Sequence, residues 1–179
     1  VCAGLLVSLT AVSATAPPSR RPLAVLGVLA AVSFFHAVGL ARADAAYKRG
    51  AKAQAVNDFA IAKVYIARAR RAAPCELSYI TGEINAIGDW INATRVVEER
   101  LALLALAEAD ARAALACHPR QSTAHYAAAS AARMHAELGF KDRFVDAARE
   151  YDRALELDPK FTPLLEARRE LSRRQSSAR

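Results

Sequence analysis

The side chains best suited to metal or redox chemistry are Cys2, Cys75 and Cys117 together with His36, His118, His125 and His135. No two cysteines form a CxxC pair, and the histidines stand at no ligand spacing from them or from one another. Neither a metal site nor a cofactor is therefore expected. The chain also lacks a nucleophile motif, a phosphate-cradling glycine loop and paired carboxylates in an apolar setting. No catalytic residue can be assigned. What remains is binding chemistry, in side chains of both charge signs and in tyrosines that can grip an extended polar ligand. The strongest candidates are Asp44, Tyr47, Lys48 and Gln54 in one stretch, and Tyr126, Ser130, Arg133 and Glu137 in another. The competing reading of all eight is an ordinary solvated helix face.

Three copies of one spacing would position those residues. Phe59, Ala62, Ile66, Ala69 and Pro74 recur as Leu104, Ala107, Ala111, Ala114 and Pro119, and again as Phe144, Ala147, Tyr151, Ala154 and Pro159. Steps of three, four and three put the first four positions on one helix face, and the proline stops the helix at a fixed distance. Each such helix is preceded by another. In the first copy, Asp44 to Val56 forms a helix ending at Asn57, which tolerates the left-handed conformation, and Asp58 opens the next helix. In the third copy Gly139 takes the place of Asn57, between helices of about Thr123 to Leu138 and Asp142 to Leu157. Gly50 and Ala132 are small where the paired helices would cross, and Ala62, Ala69, Ala147 and Ala154 keep the facing side shallow. Cys75 and Cys117 both lie near the end of a second helix. A disulfide between neighbouring repeats is conceivable there in an oxidising compartment, but two small inert thiols are the plainer reading. Glu98, Glu99, Glu108 and Asp110 read as the wet side of a helix, and His118 as a cap on the last turn before Pro119.

The N-terminal quarter is different. No charged residue occurs before Arg20 or between Leu23 and Ala41, and all eighteen acidic residues lie beyond Arg42. Residues 1–16 and 23–41 read as two membrane segments joined by a basic turn at 17–22. Nineteen helical residues reach about 28 Å, close to the roughly 30 Å hydrocarbon thickness of a bilayer. A cleaved signal peptide ending near Asp44 and a buried soluble hairpin are the competing readings. Arg20 and Arg21 favour a cytoplasmic turn, which would put the remainder on the far side, although Arg42, Lys48, Arg49 and Lys52 argue the reverse. His36 is an ionisable group inside an apolar segment, and so a functional candidate, unless it merely reaches the interface. The net charge of +7 collects partly in the arginines from Arg168 onward. No aromatic residues interleave them to stack on bases, so nucleic acid is not an expected partner.

The spaced residues in 43–74 and 123–159 resemble the tetratricopeptide repeat. Gly50, Asn57, Phe59, Ala62, Ile66, Ala69 and Pro74 fall in order on that pattern, and Ala154, Leu155, Glu156, Leu157, Asp158 and Pro159 form a typical ending. The middle copy matches only from Leu104 to Pro119, and its first helix, which holds Trp90, is longer and irregular. Prolines 45 and 40 residues apart exceed the repeat's usual spacing of about 34. The wider layout, two apolar segments and then loosely spaced repeats, is similar to the C-terminal part of bacterial O-antigen ligase and polymerase-like membrane proteins. That likeness implies a parent glycosyltransferase with its catalytic region upstream of Val1.

The expected fold is all-α. One or two N-terminal transmembrane helices (1–41) precede a tetratricopeptide-like array (42–160, in pairs of about 43–74, 76–119 and 123–159). A capping helix starting at Thr162 and Pro163 and a basic tail occupy 161–179. First helices would line a concave face carrying the eight binding candidates. The expected function is a periplasmic interaction module on the bacterial inner membrane, in cell-surface polysaccharide biosynthesis. Its partner would be a protein or peptide, or a lipid-linked glycan reached through the parent protein. The alternative is a self-contained tethered or secreted adaptor for envelope complex assembly.

Overall fold

The computed structural model describes residues 20–177. The expected first membrane segment, Cys2 and the first half of the basic turn (17–19) lie outside them. The described residues form seven helices: α1 (Arg20–Ala55), α2 (Phe59–Ala72), α3 (Leu77–Ala93), α4 (Val97–Cys117), α5 (Ser122–Glu137), α6 (Arg143–Leu157) and α7 (Thr162–Ser177). The helix begins at Arg20, so Arg20, Arg21 and Pro22 form its first turn, where a proline costs no hydrogen bond. The chain divides into two units, Val1–Val38 and Gly39–Arg179. In the first, Val25, Leu26, Leu29, Val32, Phe34 and Phe35 of α1 are exposed. By length and composition α1 could cross a membrane, a test that a signal sequence also passes. His36 is exposed on the same helix.

The second unit is a stack of helix pairs. α1 ends as its sequence foretells: Asn57 takes φ +60°, the Asp58 N–H donates back to the Ala53 carbonyl, and the Asp58 carboxylate accepts from the Ile61 N–H at 3.2 Å. Gly139 makes the matching turn at φ +109°. α2, α4 and α6 each stop two residues before Pro74, Pro119 and Pro159. The small residues let backbones meet. A Cβ on Gly50 would come 2.6 Å from Ile66 Cγ1 and 3.2 Å from the Ala62 carbonyl oxygen, while Ala62, Ala69, Ala147 and Ala154 are fully buried. Tyr151 fills the third pair's interior, flanked by Ala129, Leu164 and Leu171, with Ala132 partly buried beside them.

The middle pair departs from the repeat pattern most. α4 starts two turns before the recognisable spacing, and α3 packs Ile80, Ile84, Ile87 and Ile91 against Leu103 and Leu104. The α3–α4 connection is three residues long, tied by Arg100 Nε donating to the Thr94 carbonyl at 2.8 Å.

Two sequence expectations are corrected here. Cys75 and Cys117 are not inert thiols: they form a disulfide with Cα atoms 5.6 Å apart. Cys75 directly follows Pro74 and Cys117 ends α4, so each proline stop brings its cysteine to the same edge of the stack. His118 supports the bridge, its Nε2 lying 2.5 Å from the Cys75 carbonyl oxygen. Asp110 is not on a wet face either. It is 6% exposed and pairs with Arg70 from α2, which also donates to Glu83 of α3 at 2.9 Å. Burial, reinforced by the neighbouring Glu83 charge, pushes the Asp110 carboxyl up to about 6 against the opposing pull of Arg70. Glu108 is half-buried and bridges to Arg143 of α6 at 2.7 Å.

Candidate functional site

First helices of successive pairs share one side of the stack, and there α3, α5 and α7 enclose a polar cleft of about 440 Å³. Its α3 wall is set by helical period. With Ile80, Ile84, Ile87 and Ile91 turned into the core, Asn85, Asp89 and Asn92 follow one another along the opposite face. α5 contributes Arg133 and Glu137, α7 contributes Arg174, and Arg100 enters from the start of α4. Gly88 lines the bottom, where a Cβ would strike the Met134 methyl at 2.7 Å. A side chain at that position would have to displace the flexible end of Met134.

The electrostatics of the cleft are unequal. Three guanidinium groups face two carboxylates. Asp89 is engaged by Gln54, whose amide donates to it at 2.6 Å. Glu137 Oε1 accepts from Arg133 Nη1 at 3.0 Å and from Arg174 Nη1 at 2.9 Å. Arg133 also lies beside Tyr151, whose phenol is pushed up by burial and drawn partly back by that guanidinium. Such a surface can hold acidic groups by charge and backbone amides by Asn85 and Asn92. No proton-transfer pair or nucleophile lines it. Among the described residues no group of His, Cys, Asp and Glu could hold a metal ion.

The eight residues singled out from sequence divide sharply. Arg133 and Glu137 stand in the cleft, and Gln54 reaches its edge through Asp89. Asp44 and Lys48 form an exposed i,i+4 ion pair at 2.6 Å, outside the cleft lining. Tyr47 stacks with Tyr79 at 5.0 Å and covers Gly82 so closely that a Cβ there would meet its ring. Tyr126 packs between Tyr151 and Phe161, and Ser130 is 4% exposed. These three serve as packing. Missed in the sequence were Asn85, Asp89, Asn92, Arg100 and Arg174. The i, i+4, i+7 spacing of Asn85, Asp89 and Asn92 was a usable signal, obscured because the middle pair's first helix had no repeat landmarks.

A second cleft, about 300 Å³, opens between α4, α5 and α6 over a floor of Ala111, Ala128 and Ala131. Its rim charges pair among themselves, Arg143 with Glu108 and Asp146, and Arg149 with Asp146. It offers a ligand little unspent charge.

No protein-family model and no curated protein matches this chain. Solved structures do. The first TPR domain of Spaghetti (RPAP3), bound to the HSP90 peptide SRMEEVD, aligns with TM-score 0.57 at 20% identity, covering 76% of this chain and 98% of that one. The first TPR domain of the human RPAP3 protein, solved by NMR, aligns equally, covering 76% and 94%. The Arabidopsis OM64 TPR domain aligns with TM-score 0.55 at 17% identity, covering 74% and 96%. The fold is therefore that of a tetratricopeptide repeat domain, as the spaced residues anticipated.

Proposed function

We propose that this chain is a membrane-anchored interaction module whose groove along α3, α5 and α7 binds an extended peptide segment of a partner protein. The observation that carries the reading is the polar cleft itself, with three arginines and two asparagines on helices held rigid by the core behind them. The likeness to a domain bound to an acidic HSP90 peptide supports a peptide as the ligand class. A displayed heptapeptide library, selected on the chain and counter-selected on an Asn85→Ala, Asn92→Ala, Arg133→Gln variant, tests it. Peptides that survive counter-selection and bind with micromolar affinity are expected; enrichment that ignores the variant would sink the groove as the site.

The exposed apolar run from Val25 to Phe35 favours anchoring, and the disulfide favours an oxidising, extracytoplasmic compartment for the repeats. In that orientation Arg20 and Arg21 lie on the cytoplasmic side and outweigh the cluster at Arg42 to Lys52. Thiol labelling of intact cells, with and without reductant, should modify Cys75 and Cys117 from outside only after reduction. Labelling without reductant by a permeant reagent alone would reverse the topology. A role at the C-terminal end of an O-antigen ligase or polymerase-like protein rests on the order of apolar segments and repeats. An immunoblot for the native polypeptide separates it from a self-contained adaptor, since the former requires a membrane species far longer than 179 residues.

A further inference from the structure

Glu137 occupies an unusual place in the groove. One of its oxygens receives donors from two guanidinium groups on different helices, Arg133 of α5 and Arg174 of α7, and Arg100 adds a third cation to the same cleft. The side chains are 26%, 31% and 47% exposed for Glu137, Arg133 and Arg174, so water screens both contacts and neither is strong enough to be permanent. The geometry is that of an arginine fork already holding a carboxylate. Asp89, the other acid in the cleft, is held by Gln54. Glu170 of α7, outside the cleft lining, accepts from Arg174 Nε at 2.9 Å, so it is the Nη1 side of Arg174 that Glu137 occupies.

We infer that Glu137 is a built-in competitor: it holds the Arg133–Arg174 fork in the free groove, and a carboxylate of the incoming peptide takes its place. The inference rests on the groove reading above and adds the ligand's chemistry. The partner segment is acidic, and the domain's own glutamate sets a threshold that neutral segments cannot cross, because they gain nothing from displacing it. The exchange forms and breaks only hydrogen bonds and ion pairs. Either an acidic side chain or a free C-terminus can supply the carboxylate.

The test is fluorescence anisotropy of the full chain in detergent, with fluorescein-labelled hexaglutamate and hexaglutamine as probes. Glu137→Gln keeps the acceptor shape and removes the charge, and it should bind hexaglutamate about tenfold more tightly than the unaltered chain. Arg133→Gln and Arg174→Gln should weaken it about fivefold or more, and hexaglutamine should respond to none of them. Glu156→Gln on α6 removes the same charge outside the cleft. It should change the affinity less than about twofold, and the Glu137→Gln gain should shrink in 0.5 M salt. Equal gains from Glu137→Gln and Glu156→Gln, or no gain at Glu137, overturn the inference. Amidating the probe's C-terminus assigns the displacing group, and either assignment agrees with displacement. If library-selected peptides bind but hexaglutamate fails to bind even the Glu137→Gln chain, the competitor role falls and the groove reading stands; if neither binds, both fall.

Discussion

The second and third helix pairs share a buried alanine seam on their second helices, Ala107, Ala111 and Ala114 in α4 and Ala147 and Ala154 in α6, but differ in the residues packed around it. α3 and α4 pack bulky aliphatic side chains, Ile80, Ile84, Ile87 and Ile91 against Leu103 and Leu104, and add a disulfide and a buried ionic cluster. α5 and α6 meet through Ala129, Ala147 and Ala154 around the single large ring of Tyr151, without a covalent link among the described residues. Alanine interfaces specify helix approach through shape, since any added methylene has nowhere to go. In the middle pair bulky aliphatic side chains lie around that seam, and the crosslink and the ion pairs add to the register. The difference also falls along the proposed groove. The better stapled pair carries Asn85 and Asn92, whereas the alanine pair carries Arg133 and Glu137, with Arg174 added from α7.

Breaking the disulfide should produce the largest effect. Cys75→Ser with Cys117→Ser opens a loop of 42 residues, worth about 4 kcal/mol by loop entropy. The loss should appear as an early transition of the middle pair in hydrogen exchange, with the third pair retained. Uniform loss across both pairs would remove the contrast. Leu104→Ala should cost about 3 kcal/mol in urea melts, because the fully buried site leaves a cavity that its aliphatic neighbours fill only in part. Ala154→Leu should destabilise by about 2 kcal/mol through overpacking; a neutral or stabilising result would mean that the alanine seam is loose.

The smallest effect sharpens the contrast through pH. Asp110 titrates at about 6 in the folded chain, against about 3.9 unfolded. Between those values the folded state holds the extra proton, so this group's contribution to stability falls as pH rises through the window and is lost above it. Acidifying from pH 7 to 5 should therefore add about 1 kcal/mol through this group. Asp110→Asn should abolish that increment in paired urea melts, and an unchanged increment would assign it to other residues.

Much of the fold was legible because it is local. The proline stops, Asn57, Gly139 and the alanine spacing each act within a few residues, and α2, α5, α6 and α7 lie close to where they were expected. The middle pair was harder to read, since its register comes from distant partners. Asp110 looked like a surface acid because its helix shows only charge and period, and its partner Arg70 is 40 residues away. Cys75 and Cys117 could be placed near helix ends but not brought together without the stacking geometry. The cleft was half legible for the same reason. Arg133 and Glu137 lay on a helix with a known register, while Asn85, Asp89 and Asn92 lay on one without.

The disulfide also decides how the domain bears load. If a tethered chain is pulled from its two ends, tension runs through Cys75 and Cys117 and bypasses everything between them. A loop of 42 residues at about 3.5 Å per residue is roughly 150 Å of contour that never joins the stretched chain. α3 and its side of the groove sit inside that bypass, so a module dragged between an anchor and a moving partner would lose its outer helix pairs before its middle one is strained.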